Sequence, residues 1–273
     1  MKRNLNFIKN LLNLHTPAGY EDSVRDLLCK EMAGAELVKT DVLGNVIFKS
    51  IATGSSKKIM ISGHVDEIGF ICQKILDSGL ITFLGLGGID RKTLKGAHVE
   101  VLSDSGQIIH GVIGGRPAHV ETDKQYESVD KIEDFLLDIG ATSKEMVVDL
   151  GIHPGTVFTY QKGNNILEFG PKKDFIIGQG LDDKISVYII TEVMKRVGAS
   201  VPNLYGVATS QEEVGARGAR IATQFIQPDI SIDLDVNFAA EPDLGIDQAI
   251  YGDIKLGGGL IIGYGPGELP MSL

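Results

Sequence analysis

The sequence predicts an α/β protein, with a mostly parallel-sheet catalytic domain carrying helices on both faces and a small inserted β-barrel-like domain. Three observations carry that expectation. From Gly178 onward apolar strand signals, LYGVAT and DISIDLDV, flank a helical run near residues 219–225, a βαβ rhythm that implies largely parallel pairing. Between about residues 68 and 169 the texture changes to short β-like segments (FICQKIL, LITFLGLGG, HVEVLSDSG, QIIHGVIGG, DFLLDIG, TVFTYQKG) separated by Gly and Asp-Ser-Gly turns. The chain opens with a helix, a turn and a second helix. The expected division is residues 1–67 and 170–273 for the catalytic domain and 68–169 for the insert.

Along the chain, Phe7, Ile8, Leu11 and Leu12 keep helical spacing, and Pro17 and Gly19 in TPAGYED stop that helix. Val24, Leu27, Leu28 and Met32 then open the second amphipathic run. Strand signals follow at residues 36–40, 46–48 and 58–61, with Leu43-Gly44-Asn45 as turn chemistry between the first two. Within the insert one helix is expected over residues 143–150. A further helix over 183–197 carries Ile185, Ile189, Val193 and Val197 in a four-residue stripe, which assigns that face to the core.

A chain of 273 residues, 43% hydrophobic, can bury a full α/β core and a second small domain. The net charge of -10 disfavours nucleic acid and anionic membrane surfaces as partners and suits divalent cations. Cys29 and Cys72 are the only cysteines and lie in unrelated segments, so a reducing cytoplasm is the expected setting. Asn6, Lys9, Asn10 and Asn13 interrupt the N-terminal run, which reads as an amphipathic helix and not as a signal peptide. No stretch approaches the roughly 20 apolar residues of a membrane span.

The chemistry-bearing residues stand at the ends of apolar segments: His64 and Asp66 in SGHVDEIGF, Asp182 in GQGLDDK, Glu212 and Glu213 in SQEEVG, Asp235 in IDLDVN. In an open α/β sheet ligands gather at the carboxyl ends of strands. His64 and Asp66, two apart, share a face of extended backbone, so one can ligate a metal while the other orients it. Alone, His64 reads more readily as a satisfied polar loop residue, and Asp182 or Asp183 more readily as a helix N-cap. Glu212 and Glu213 are adjacent and point to opposite sides in extended backbone, so one can hold metal while the other reaches a substrate water; a solvated acidic pair is the bland alternative. Ser231, Asp233 and Asp235 alternate with Ile230, Ile232 and Leu234. A strand buried on both faces should be apolar throughout, so this alternation asks for a ligand or partner, with Asp233 hydrogen-bonded beneath Asp235. Together the motifs match a dinuclear hydrolase site.

The motifs GHVDEIGF, IGGRPAH, LDIGATSKE, LDDK, QEEVGARGA and LDVN, in this order, resemble the dinuclear metallo-aminopeptidases that include glutamyl, deblocking and tetrahedral self-compartmentalising peptidases. The resemblance implies that His64 and Asp235 hold one ion, Glu213 the other, and that Asp182 bridges them. It implies Glu212 as general base and Asp66 as the residue orienting His64. It further implies two zinc or cobalt ions, release of N-terminal residues from short peptides, and assembly into a homo-oligomer, often a dodecamer, through the inserted β domain. Lys184 and Ser186 stand where the family usually shows Arg and Gly. The family also supplies a last histidine to the second ion, whereas no histidine follows His153 here. The corresponding expectation is a lacking C-terminal segment, with Glu213 sharing its ion with Asp182 and water, or a substitute among His15, His98, His110, His119 and His153. Two competing functions remain: a glycoside hydrolase using Asp66 and Glu212 as paired carboxylates, which the absence of Trp disfavours, and a degenerate, non-catalytic relative.

Overall fold

The computed structural model describes residues 4–32, 34–123, 127–162 and 167–263. It divides into two units, residues 1–235 and 236–273. The first opens with helices α1 (Leu5–Leu12) and α2 (Val24–Glu31) and strands β1 (Ala35–Thr40), β2 (Val46–Ser50) and β3 (Ile59–His64). Strands β4 (Gly69–Ile75), β5 (Ile81–Leu86), β6 (His98–Leu102), β7 (Ile108–Gly114) and β8 (Leu136–Asp138), helix α3 (Lys144–Asp149) and strand β9 (Val157–Tyr160) follow. A hairpin of β10 (Leu167–Phe169) and β11 (Phe175–Ile177) leads to helix α4 (Leu181–Val197), strand β12 (Leu204–Thr209), helix α5 (Arg217–Ile226) and strand β13 (Ile230–Asp233).

Five strands form a mixed sheet in the order β1-β2-β12-β3-β13. The three that carry the candidate site, β12, β3 and β13, are parallel to one another, while β2 runs antiparallel to both β1 and β12. Period-two alternation splits the sheet's side chains between two cores. Val46, Phe48, Leu204 and Ala208 pack with α1, α2 and α4, whereas Ile47, Met60, Tyr205 and Val207 pack with Ala222 and Ile226 of α5. The helices therefore lie on both faces.

Strands β4-β5-β8-β7-β6-β9 close into a barrel. Its interior holds Phe70, Phe83 and Phe158, with Phe70 stacked on Phe158 at 4.8 Å and Phe83 edge-on to both at 5.3 and 5.4 Å. Helix α3 starts where Ser143 accepts from the Met146 N–H, as its N-cap. In the second unit, helix α6 (Gln248–Tyr251) is capped by Asp247, and Phe238 meets Tyr251 edge-on at 5.3 Å.

Two sequence expectations require correction. The buried face of α4 is formed by Val187, Ile190, Thr191 and Met194, while Ile189 is 43% exposed. A strict four-residue stripe drifts about 40° per step around a 3.6-residue helix, so the i, i+3, i+4, i+7 set holds one face where the Ile185–Val197 row does not. β13, expected to be buried on both faces, is exposed at every position, with Ile230 52% and Ile232 46% accessible. Among the described residues it pairs with β3 alone, which makes it an edge strand; its polar alternation needs no ligand to explain it.

Candidate metal centre

Each candidate residue sits at a carboxyl end of the parallel strands or at the start of α4. His64 closes β3, Glu212 and Glu213 follow β12 by a few residues, and Asp235 follows β13, whose exit is fixed by the Leu234 N–H donating to Ser62 O at 2.7 Å. Beneath Asp235, Asp233 accepts from the Ser62 and Ser231 hydroxyls. Asp182 (φ -80, ψ 109) and Asp183 (φ -122, ψ 32), joined by a cis peptide, precede the regular helix. Gly63 lets that helix approach, because a Cβ there would lie 2.7 Å from Ser186 Cβ and 3.2 Å from Asp183 Oδ2.

His64 is 3% exposed, and its Nε2 faces Asp182 Oδ1 at 3.1 Å, Glu212 Oε2 at 3.7 Å and Asp235 Oδ1 at 4.0 Å. Its Nδ1 lies 3.0 Å from the Asp66 carbonyl oxygen. A carbonyl only accepts, so Nδ1 donates to it, and Nε2 is the nitrogen turned to the carboxylates, where it donates its proton to Asp182 or, with that proton displaced, offers its lone pair to a cation. It is the Asp66 main chain that orients the ring, since its carboxylate stands 3.6 Å from Nδ1. That carboxylate instead accepts from the Glu212 and Glu213 N–H groups at 2.9 and 3.0 Å. Asp182 makes no N-cap bond and turns to His64.

Asp183 was legible only as a possible cap. Its ligand atom falls within 4.8 Å of those of His64 and Asp235, it is fully buried, and its Oδ1 has no hydrogen-bond partner. Ligand atoms bound to one ion at about 2.0–2.2 Å stand roughly 3–3.5 Å apart, close to the His64 Nε2 spacings. The donor set, an imidazole with hard carboxylate oxygens and one orphaned buried oxygen, therefore fits divalent cations.

Electrostatics agrees. Burial, aided by Asp182, pushes the Glu213 carboxyl up to about 7, and burial, aided by Asp235, pushes Asp183 up to about 7. Glu212 is raised by burial and by Asp235, Asp66 and Asp182, with His64 opposing. Burial works against charge on His64, but the bonds to Asp182 and Asp66 outweigh it and lift the imidazole to about 11. These carboxylates repel one another, and a cation among them removes the repulsion.

The other histidines lie elsewhere. His15 pairs with Glu100 at 2.7 Å and His153 with Asp104 at 3.0 Å, while His98 and His110 line a separate cavity on the barrel. Among the described residues none of them joins the His64 cluster. Beside that cluster opens a cavity of about 600 Å³, bounded by His64, Glu212, Asp235 and the Ala216, Ala219 and Arg220 side of α5.

A parallel strand triplet ending in one buried imidazole and converging carboxylates, with a closed barrel set between β3 and α4, defines an α/β domain with a candidate cation site. Residues 44–272 match the M42 glutamyl aminopeptidase family, and the chain belongs to it. The lysyl aminopeptidase of Pyrococcus furiosus is 32% identical over 242 residues, 86% of this chain and 67% of that protein. The aminopeptidase APDkam598 of the archaeon Desulfurococcus kamchatkensis superposes with a TM-score of 0.78 at 34% identity, over 86% of this chain and 63% of that one. The TET1 peptidase of Pyrococcus horikoshii, which can assemble into a tetrahedron or a large octahedral shell, gives 0.79 at 30% identity, over 93% and 72%. The chain thus spans less than two thirds of the Desulfurococcus protein.

Proposed function

We propose that this chain is a metal-dependent aminopeptidase that hydrolyses N-terminal residues from short peptides at a dinuclear centre. The observation that carries the reading is the convergence of Asp182, Glu212 and Asp235 on the buried His64 Nε2 at 3.1 to 4.0 Å. In this reading His64 and Asp235 would hold one zinc or cobalt ion and Glu213 the other, with the Asp182 carboxylate shared between the two. Asp183, with its orphaned oxygen, would be a further donor to the first. When bound, such a pair of cations lowers the pKa of water and polarises the scissile carbonyl.

The chain's own residues do the rest. Glu212 takes a proton from the attacking water at its carboxylate and passes it to the leaving amine nitrogen as the C–N bond breaks. Its raised proton affinity is the direction such a shuttle needs. Asp66 holds the peptide groups of Glu212 and Glu213, so that one carboxylate reaches the water while its neighbour holds metal. We further propose self-association into a homo-oligomer as large as a dodecamer through the β4–β9 barrel, supported by the assemblies of the Pyrococcus horikoshii relative. Two unpaired cysteines suit a reducing cytoplasm, and no helix among the described residues is long and apolar enough to cross a membrane.

A polysaccharide substrate fits less well, because the chain contains no Trp and, among the described residues, no Phe or Tyr bounds the cavity beside His64. The test is turnover of chromogenic aminoacyl amides with added zinc or cobalt, together with metal content. Two ions per chain and metal-dependent release are expected, and Glu212→Gln should lower kcat about 10²- to 10⁴-fold while retaining metal. One ion or none, with no turnover, supports the degenerate relative instead.

A further inference from the structure

β12 ends at Thr209, and the next four backbone N–H groups leave the sheet ladder. Each is taken by a side chain from a distant part of the chain. Ser210 N–H donates to Asn45 Oδ1 at 2.9 Å and Gln211 N–H to Glu21 Oε1 at 3.0 Å. Glu212 and Glu213 N–H follow, onto the two oxygens of Asp66. The acceptors are 0% (Asn45), 3% (Glu21) and 0% (Asp66) exposed, so water is not in competition for these amides.

The acceptors are themselves fixed. Asn45 Nδ2 donates to Asp41 Oδ2 at 2.6 Å and to Gly218 O at 2.9 Å, and Glu21 Oε1 also accepts from Gly19 N–H at 2.8 Å. What they hold is an unfavourable turn. Gln211 has φ +55, in the left-handed region that residues with a Cβ avoid, and it is the residue immediately before the adjacent carboxylates. The backbone angles from 211 to 213 decide where those two side chains point. An extended Gln211 would swing Glu212 away from the His64 Nε2 that it now faces at 3.7 Å.

We propose that Glu21 is a positioning residue of the reaction: its carboxyl oxygen, with Asn45 holding the preceding Ser210 amide, keeps Gln211 in the left-handed turn that aims Glu212 and Glu213 at the centre. This rests on the roles given to Glu212 and Glu213 above. Glu21 touches neither substrate nor the reacting atoms; it acts through the 210–213 peptide groups.

Glu21→Ala removes the acceptor, Glu21→Asp draws it back by one methylene, and Glu21→Gln keeps an amide oxygen in place. In Glu21→Ala kcat should fall about tenfold to a hundredfold with KM little changed, the penalty of a displaced catalytic group. Amide hydrogen exchange over residues 210–213 should accelerate, and Glu21→Gln should restore both readouts. If Glu21→Ala does not fold, Glu21→Asp is read the same way. Unchanged exchange at 210–213, or faster exchange with unchanged kcat per folded molecule, overturns the proposal. So does a loss of kcat that follows a general loss of melting temperature and is not rescued by Glu21→Gln. Wild-type protein that shows no turnover with zinc or cobalt counts against the aminopeptidase reading, and exchange at 210–213 then decides the role of Glu21 separately.

Discussion

Two ionic clusters lie next to each other in the first unit, and they differ in how their charge is balanced. One is the Glu67 carboxylate between the Lys162 and Lys184 ammonium groups, every side chain at most 4% exposed. Lys184 Nζ donates to Glu67 Oε1 at 2.9 Å and to Leu14 O at 2.7 Å, and Glu67 Oε1 accepts from Thr16 N–H at 3.1 Å. The other begins two residues before Lys184, where Asp182, Asp183, Glu212 and Asp235 stand around a single imidazole and Glu213 lies within their electrostatic reach. In the first the protein supplies its own counter-charge. In the second it supplies a surplus of anions and an oxygen with no partner. A closed cluster fixes the junction of barrel exit, β3 and α4; an open one is built for cations from outside.

The largest expected effect tests the closed cluster. Burial opposes its charge, but the two lysines hold Glu67 below the usual carboxylate range, while burial and the second lysine push Lys184 down to about 7. Removing the central carboxylate leaves two buried lysines facing each other with no counter-charge. Glu67→Gln should therefore cost about 3–5 kcal/mol of folding stability. Urea unfolding with and without chelator measures it, and the loss should be the same in both. A loss well under 1 kcal/mol would erase the contrast between the clusters.

Next comes Glu21, which lies between the two clusters in character: buried, well hydrogen-bonded, yet without a cation. Burial pushes its carboxyl from 4.5 up to about 7, with Asp66 adding to the rise and the Gly19 and Gln211 amides opposing it. The folded state then binds its proton more tightly than the unfolded chain. The stability it contributes is fully present below about pH 4.5 and is lost as pH rises through about 7, by roughly 3 kcal/mol at most. Glu21→Gln cannot titrate, so the decline in wild-type stability between these values should flatten in the variant. Equal slopes for both proteins would count against a buried, proton-binding Glu21.

These residues also mark the limit of what the sequence reveals. The positions of His64, Asp182, Glu212, Glu213 and Asp235 were legible because each follows an apolar strand or opens a helix, and local pattern reports placement of that kind directly. Glu21, Asn45 and Glu67 were not. Their partners lie 190, 165 and 117 residues away, and no periodicity encodes which distant amide a buried oxygen will accept. The core face of α4 failed for a related reason. Lys184, Ser186 and Thr191 are buried there as polar residues, Lys184 because Glu67 waits for it, so a reading by hydrophobicity passed over them. β13 looked internal from its composition, but edge or centre is a property of neighbours.

The smallest effect sharpens the open cluster. Asp235 stands 4.0 Å from His64 Nε2 and is 57% exposed in its side chain, so its removal leaves no hole in the core. Asp235→Asn takes one negative charge out of a crowd in which Asp235 itself raises the proton affinity of Asp183 and Glu212. Without metal, the variant should melt at or above the wild-type temperature. With metal the order should reverse. Zinc at about 100 times its Kd stabilises a folded state that alone binds it by roughly 2.7 kcal/mol, and replacing this carboxylate by a neutral amide should weaken binding about 10- to 100-fold. Melting curves with chelator and with graded zinc, for both proteins, read the two signs independently. A variant that loses stability in chelator, as Glu67→Gln should, would move Asp235 from the open cluster to the closed kind.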